Sequence, residues 1–274
     1  MSACALQAGC PRVTRILAAG AYGAKPNYGD VNPEAHAPEA DGLLSVVSTP
    51  IGNLADISPR AIERLRDVDL IACEDTRHSG VLLRAHDIDT PRLSLHQHNE
   101  ASRTQQMITA LGKGQNIAYI SDAGTPLVSD PGARLVRAVA NAGFTVEVIP
   151  GPCAVTAALA GSGFPADRFY FGGFLSTKKG ARGRELEGAL EREETCVFFD
   201  SPHRILSTLE ILAGLAPERQ VVVARELTKK FEEFRRGSCA EVCDSFRVRP
   251  AKGEIVLVVS GAKLPKWMTV PASS

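Results

Sequence analysis

SDAGTPLVSDPG, residues 121–132, is the stretch that decides the fold of this chain. It follows a short apolar run at 116–120 that is typical of a buried strand, and the residues after it repeat with the period of an amphipathic helix. We expect Pro131 to lie in the first turn of that helix. A strand, a loop of small residues and a helix, in this order, form the ligand sites of open α/β sheets at the carboxyl ends of their strands.

The residue types of this loop suit a ligand. Small side chains let a ligand approach the backbone, and Asp122 places a carboxylate at the tip of the strand. The alternative is an ordinary tight loop made of turn-forming residues. The loops elsewhere in the chain favour the ligand site.

The composition is that of a globular protein. The chain has 274 residues, of which 44% are hydrophobic, which is enough for one large domain or two modest ones. No apolar run is long enough to cross a membrane. The formal net charge is zero, with a small cationic excess in the second half, so charge alone does not identify a nucleic-acid-binding protein.

The cysteines and histidines do not predict a metal site. The chain has seven cysteines with no C-x-x-C pair, which indicates reduced, mostly buried thiols and a cytoplasmic location. His96 and His98 alternate at a predicted strand end, and we interpret them as surface-loop residues. We therefore expect no metal.

Residues 1–42 differ from the rest of the chain. They are rich in Ala, Gly and Pro, have no acidic residue before Asp30, and contain no continuous apolar segment of the kind that a secretory signal needs. We expect a disordered extension or a wrongly assigned start codon, with a transit peptide as the less favoured alternative. Residues 263–274 are expected to form a tail.

From Leu43 onward, predicted strands and helices alternate. The strands are predicted at 44–47, 69–73, 92–95, 116–120 and 144–149, and the helices from Ser58-Pro59, at 79–85, at 104–111 and after Pro131. Such alternation indicates parallel strand pairing, so residues 43–150 are predicted to form an α/β domain with helices on both faces of its sheet.

The second domain is predicted at 151–262, after a joint at Pro150-Gly151-Pro152. Its strands are expected at 169–174, 195–200, 220–224 and 255–259, with helices at 153–160, 185–194 and 205–213 and a short extra strand at 234–236. The less regular spacing predicts a mixed sheet. Without a long linker, the two domains should pack closely and leave a cleft.

Six loops, in this order, carry a recognisable pattern over about four-fifths of the chain. They are STPIGNL (48–54), CEDTR (73–77), the loop at 121–132, IPGP (149–152), DSPHR (200–204) and ARELTK (224–229). The pattern resembles the tetrapyrrole methylase superfamily, the class III S-adenosylmethionine-dependent methyltransferases. Within it, the pattern is most similar to the bacterial branch that methylates a cytidine ribose 2′-hydroxyl of small-subunit (16S) ribosomal RNA.

The resemblance implies a two-domain α/β fold, each domain a sheet flanked by helices, with S-adenosylmethionine held in a cleft between the domains of a homodimer. The resemblance also implies that this is not the Rossmann methyltransferase fold, and the lack of a G-x-G-x-x-G after the first strand fits that distinction. Asp200 departs from the branch, whose members often have Glu there. The family's cofactor loops correspond to Pro50, Asp122, Gly124, Thr125, Pro126, Val128, Ser129, Cys153 and Ala154.

Three carboxylates are candidates to accept the proton of a ribose hydroxyl. Glu74 and Asp75 follow the second strand, and Glu226 follows a strand of the second domain. Helix capping by Asp75, and an ion pair of Glu226 with Arg225 or Lys229, explain these residues equally well. The residues alone do not choose among the three.

Cations in the same loops suit RNA phosphates, since arginine gives a forked contact and lysine a point charge. The candidates are Arg77, His203, Arg204, Lys229 and Lys230. A second basic cluster, Lys178, Lys179, Arg182 and Arg184, is expected in a mobile loop beside Gly180 and Gly183, with a solvated helix face that does not contact RNA as the alternative. Aromatic residues make up only 5% of the chain, which favours a structured RNA or a whole small ribosomal subunit over a long single strand.

Two other functions remain open. A methylase of a corrin or porphyrin ring would share the cofactor loops, and the cations after the second and seventh strands favour phosphates without excluding ring carboxylates. A non-catalytic ribosome-assembly factor would have kept the fold, although the retained loop with Asp122 indicates cofactor binding. The phosphate-binding motif of P-loop nucleotidases does not occur.

Overall fold

The computed structural model describes residues 41–263, which belong to one compact unit containing two five-stranded sheets. The predictions for residues 1–40 and 264–274 lie outside the described residues. Among residues 41–263, no helix combines the length and the apolar character that a membrane crossing requires.

The first sheet is parallel throughout, as predicted. Its strands, in the spatial order β3-β2-β4-β1-β5, are β1 Leu43–Val47, β2 Leu70–Cys73, β3 Arg92–Ser94, β4 Ile117–Ile120 and β5 Thr145–Ile149. Every strand therefore ends at the same edge of the sheet. The loops that carry the motifs of the first domain follow these carboxyl ends.

Helices connect the parallel strands. They are α1 Pro59–Asp67, α2 Thr76–Ala85, α3 Glu100–Leu111 and α4 Ala133–Asn141, with a short 3-10 helix at Leu54–Asp56. The predicted start of α1 is confirmed, because the Ser58 hydroxyl caps the helix by accepting the Ala61 N–H at 3.1 Å. Helix α2 begins earlier than predicted, because Asp75 caps it.

The predicted position of Pro131 is wrong. Helix α4 begins at Ala133, and Gly132 precedes it with φ +115°. A side chain at Gly132 would overlap the Tyr119 ring, whose hydroxyl donates to the Pro131 carbonyl at 2.8 Å. This contact holds Pro131 outside the helix, so the glycine makes the turn into it.

The second sheet is mixed, as predicted. Its strands, in the order β6-β7-β10-β8-β9, are β6 Phe169–Phe174, β7 Thr195–Asp200, β8 Gln220–Arg225, β9 Glu233–Ser238 and β10 Ile255–Val259. Only the β6–β7 pairing is parallel. The short strand predicted at 234–236 is a full strand, β9.

Four helices accompany the second sheet and with it make up the second half of the described chain: α5 Ala154–Ser162, α6 Lys179–Glu191, α7 Ile205–Leu215 and α8 Cys239–Val248. The mobile loop predicted around Lys178 and Lys179 is wrong, because α6 begins at Lys179. Arg182 is only 3% exposed and donates to the Ser207 hydroxyl at 2.8 Å, so it has no surface for RNA.

The core between the halves is built on α5. Val155, Ala158 and Leu159 pack with β-sheet residues such as Val222 and with Ile51 from the loop after β1. Each large aliphatic side chain fully buried in this way contributes about 1.5–3 kcal/mol. This packing fixes the loops of the first sheet against the second sheet. The domain boundary at residue 150 stays a prediction.

Candidate functional site

The loops after β1, β4 and β5 are tied to one another by hydrogen bonds. Thr49 and Gly124 exchange two backbone bonds of 2.9 and 3.1 Å. The Ser48 hydroxyl donates to Thr125 Oγ1 at 3.1 Å, and Thr125 donates in turn to the Pro152 carbonyl at 3.1 Å. The three motifs that contain these residues therefore form a single structural unit at the edge of the sheet.

A cavity of about 430 Å³ lies between this unit and the second sheet. Its lining from the first half is Ile51, Asp122, Ala123, Gly124, Thr125, Val128, Ser129 and Asp130. Its lining from the second half is Cys153, Ala154, Phe174, Phe199, Asp200, Ser201, Pro202, Leu227 and residues 253–256. The size and the largely apolar lining with a few polar groups are typical of a small-molecule site.

Most of the predicted cofactor residues meet at this cavity. Asp122, Gly124, Thr125, Val128, Ser129, Cys153 and Ala154 line it. Pro50 and Pro126 belong to the same loops but are not among the lining residues. The sequence analysis did not predict the contribution of Phe174, Phe199 and residues 253–256. For Phe174, the two glycines directly before it were an available signal of irregular backbone.

Strained backbone is concentrated on the two sides of the cavity. Leu127 and Ser129 have φ of +73° and +65° in the loop after β4. On the opposite side, Glu226 and Thr228 have φ of +52° and +64° after β8. Such conformations cost about 1–3 kcal/mol each and persist where the surrounding structure enforces them, typically at ligand sites.

Three carboxylates of the first half repel one another, and two of them, Asp122 and Asp130, line the cavity, whereas Glu74 does not. Burial, with repulsion from Asp122 and Asp130, raises the pKa of Glu74. Burial, with repulsion from Asp122 against a lowering hydrogen bond from Ser121, raises the pKa of Asp130. The repulsion indicates an electronegative surface, which stabilises a cationic ligand.

The three candidate proton acceptors differ in their surroundings. Asp75 Oδ1 accepts the Arg77 N–H at 2.7 Å, and this backbone hydrogen bond lowers the pKa of Asp75. Glu226 accepts the Glu254 N–H at 3.0 Å and is bonded by Lys229, and the backbone bond lowers its pKa. Glu74 alone of the three has a raised pKa. Burial therefore sets Glu74 apart from Asp75 and Glu226, whose ionised forms are stabilised by backbone hydrogen bonds.

Asp200 is fixed by its own neighbours. Its fully buried carboxylate accepts hydrogen bonds from the Ser201 N–H at 2.8 Å, the Thr208 hydroxyl at 2.7 Å and the Arg204 side chain at 3.2 Å. The shorter Asp side chain therefore has a complete set of partners here. The ion pair with Asp200 holds the Arg204 side chain, which limits its reach toward RNA.

The other predicted RNA contacts do not line the cavity, and most of them are exposed. The Arg77 side chain is 94% exposed, and His203 and Lys230 are also exposed. Lys229 is bonded to Glu226 and Glu254 at 3.1 Å each, so its charge is already compensated. Of this group, Arg77, His203 and Lys230 are the exposed side chains, and the Arg77 Nε lies 3.7 Å from Asp75 Oδ1 in a long, solvent-exposed ion pair that holds it only weakly.

The thiols and imidazoles form no larger site. Within the described part of the chain, no group of three or more metal-binding side chains occurs. Cys73, Cys196, Cys239 and Cys243 are buried, and Cys153 is half-buried at the cavity. Burial raises the pKa of both Cys196 and Cys239 to about 11, which keeps these thiols protonated at neutral pH.

A parallel sheet and a mixed sheet that share a cleft, with an electronegative loop at its edge, define an α/β protein whose cleft suits a small cationic ligand. Residues 43–243 match the family model of the tetrapyrrole (corrin/porphyrin) methylases. The chain belongs to this family.

Curated relatives are similar over most of their length. The chain is 50% identical over 222 residues to the ribosomal RNA small subunit methyltransferase I of Synechocystis sp., covering 81% of this chain and 80% of the relative. It is 44% identical to the protein of the same name from Thermotoga maritima, covering 80% of this chain and 99% of the relative.

Solved structures agree with the fold. Uroporphyrin-III-C-methyltransferase from Thermus thermophilus superposes with a TM-score of 0.57 at 21% identity, over 80% of this chain and 94% of that chain. Diphthine synthase superposes with a TM-score of 0.62 at 15% identity, over 82% and 92%. At these identities the likeness describes the fold alone.

Proposed function

We propose that this protein is an S-adenosylmethionine-dependent methyltransferase that methylates the ribose 2′-hydroxyl of a cytidine in 16S ribosomal RNA. The observation that carries the proposal is the electronegative cleft, formed by the family's loops in a chain that is 44–50% identical to relatives named for small-subunit ribosomal RNA. The exposed cations in the family's loops, Arg77, His203 and Lys230, agree with an RNA substrate.

The cleft fits S-adenosylmethionine, which supplies a methyl group activated by a sulfonium charge. Gly124, Thr125 and Ala154 would offer backbone groups and little steric bulk to the ligand. Asp122 and Asp130 compensate the positive charge, which a lysine in their place would oppose. Alignment of the reacting groups in such a cleft supplies about 7–11 kcal/mol of the lowering of the barrier.

Glu74 is the side chain to which we assign proton acceptance from the ribose hydroxyl. Its raised pKa suits a base that must take up a proton and release it again, and such a base contributes roughly 10²–10⁴-fold. Asp75 and Glu226 hold the loops instead, through the cap of α2 and the Lys229 pair.

Arg77, His203 and Lys230 are assigned to the RNA phosphates. We further propose that the substrate is a structured RNA or the assembled small subunit, that the protein acts as a homodimer, and that it acts in the cytoplasm. These exposed cations lie outside the cavity lining and support the first of these proposals, because they suit a substrate much larger than the cavity.

The test is transfer of a labelled methyl group from S-adenosylmethionine to unmethylated small ribosomal subunits, with free 16S RNA and a tetrapyrrole mixture as parallel acceptors. Label on a cytidine 2′-oxygen is the expected result, and Asp122→Ala should abolish cofactor binding. Label only on the ring would place the protein with the corrin and porphyrin methylases. Failure to bind S-adenosylmethionine, together with no transfer to any acceptor, would favour a ribosome-assembly factor.

A further inference from the structure

Strand β6 ends in a bulge that sets the direction of one aromatic side chain, Phe174. Phe171 pairs with Val197 and Phe174 with Phe199, so three steps along β6 match two along β7. Bulges of this kind redirect a side chain and are frequent beside active sites.

Two glycines make the bulge possible. Gly173 has φ +67°, and a side chain on Gly172 would overlap the Phe198 ring. A strand interior disfavours glycine, so a pair of them indicates that the bend itself is required. The pair is a sequence feature that the cofactor loops do not explain.

The bulge places Phe174 at the mouth of the cavity. Its side chain lines the cavity and yet is 62% exposed. Its ring meets Phe199 edge to face, with centroids 5.2 Å apart and an angle of 61°. A single exposed phenylalanine is ordinary, but this one is held by a second aromatic at the entrance to the cleft.

We propose that Phe174 stacks on the base of an unpaired nucleotide and so delivers its ribose into the cleft. This inference rests on the proposed function and names the form of RNA that the site accepts. A cavity of about 430 Å³ does not admit a duplex, so the target nucleotide must leave its stack. Unstacked bases are commonly received on aromatic side chains.

The position of Phe174 favours the base over the adenine of the cofactor. A bound small molecule is mostly buried by its pocket, whereas most of the Phe174 side chain faces solvent, from which the RNA arrives. Lys178 and Lys179, four and five residues further along the chain, are also exposed and add positive charge beyond the same strand end. The phosphates that flank a stacked base need such charge.

The test compares Phe174→Leu with Phe174→Trp in the full-length protein. Leucine keeps apolar volume but has no aromatic face, so kcat/KM for small subunits should fall by about 5- to 150-fold while S-adenosylmethionine affinity is unchanged. Tryptophan should retain activity. Phe169→Leu is the matched control, because Phe169 is an exposed phenylalanine at the other end of β6 that does not line the cavity.

A second measurement is independent of catalysis. RNA carrying 5-iodocytidine at the target position should photo-crosslink to Phe174, as located by mass spectrometry. Crosslinking at Phe174 without methyl transfer would uphold this inference and refute the proposed function. Full activity of Phe174→Leu, loss of cofactor affinity in that variant, or a change in its oligomeric mass would overturn the inference.

Discussion

Asp122 Oδ1 accepts the backbone N–H of Asp75 at 3.1 Å, which joins the carboxyl ends of β4 and β2. One carboxylate thereby fixes the loop that carries Glu74 and also faces the cavity. The geometry of the proposed base and the charge of the cofactor site depend on the same side chain. Removal of this side chain, as in Asp122→Ala, is expected to affect both.

Asp122→Asn should separate these two roles, because an amide oxygen still accepts the Asp75 N–H but carries no charge. We expect affinity for S-adenosylmethionine to fall by about tenfold or more, with a smaller loss for S-adenosylhomocysteine, which has no sulfonium charge. Isothermal titration of both ligands measures the difference. Equal losses for the two ligands would contradict the electrostatic role.

Glu74→Gln should lower kcat by roughly 10²–10⁴-fold, because glutamine accepts no proton. The wild-type rate should fall as the pH drops through the raised pKa of Glu74, and the variant should lack this limb. Asp75→Asn is the matched control, since asparagine also caps helices. A full loss of activity in the control with none in Glu74→Gln would reverse the assignment.

The same pKa shift predicts a stability difference. Because the folded state raises the pKa of Glu74, the folded protein binds this proton more tightly than the unfolded chain does. The ionised side chain therefore disfavours folding above that pKa, and protonation removes the effect as the pH falls. Glu74→Gln should be the more stable protein at pH 8, with an advantage that shrinks at lower pH in thermal melts.

Arg77→Ala and Lys230→Ala should each weaken RNA binding and reduce the dependence of log affinity on log salt by about 0.7 if one single-strand phosphate contact is lost. Lys229→Met should change that slope little, because Lys229 already pairs with Glu226 and Glu254. Filter binding at several salt concentrations provides the slopes. A larger change for Lys229→Met than for the other two variants would refute the assignment of Arg77 and Lys230, and not Lys229, to the RNA phosphates.

Gly132→Ala should destabilise the protein by about 2–4 kcal/mol, since a side chain there is strained at φ +115° and overlaps the Tyr119 ring. Gly143→Ala is the control, because Gly143 has φ +87° but nothing within 4 Å of an added Cβ. It should lose only about 1–2 kcal/mol. Denaturant unfolding gives both values, and equal losses would exclude the Tyr119 contact as the cause.

Cys153 should react with a maleimide in the native protein, whereas Cys196 and Cys239 should not, because burial raises the pKa of each to about 11. S-adenosylhomocysteine should slow the reaction at Cys153, which lines the cavity. Peptide mass mapping identifies the labelled thiols. Unchanged labelling of Cys153 at saturating ligand would place the ligand elsewhere.

The order of strands and helices followed from local pattern. Apolar runs, the Ser58-Pro59 helix start and regular alternation are short-range features, so the parallel first sheet and mixed second sheet were predictable. Errors occurred where a distant contact overrode local preference. Tyr119 holds Pro131 outside α4, and Ser207 binds Arg182 within the second half.

The sequence by itself determined the fold class and the family, because loops of small residues after strands carry these signals locally. It also predicted nine cofactor residues, of which seven line the cleft. Only the tertiary structure distinguished Glu74 from Asp75 and Glu226, and Arg77 from Lys229. Their roles depend on burial and on partners distant in the chain, such as Asp122 and Glu254. The same is true of Phe174, which a bulge between two strands brings to the mouth of the cleft.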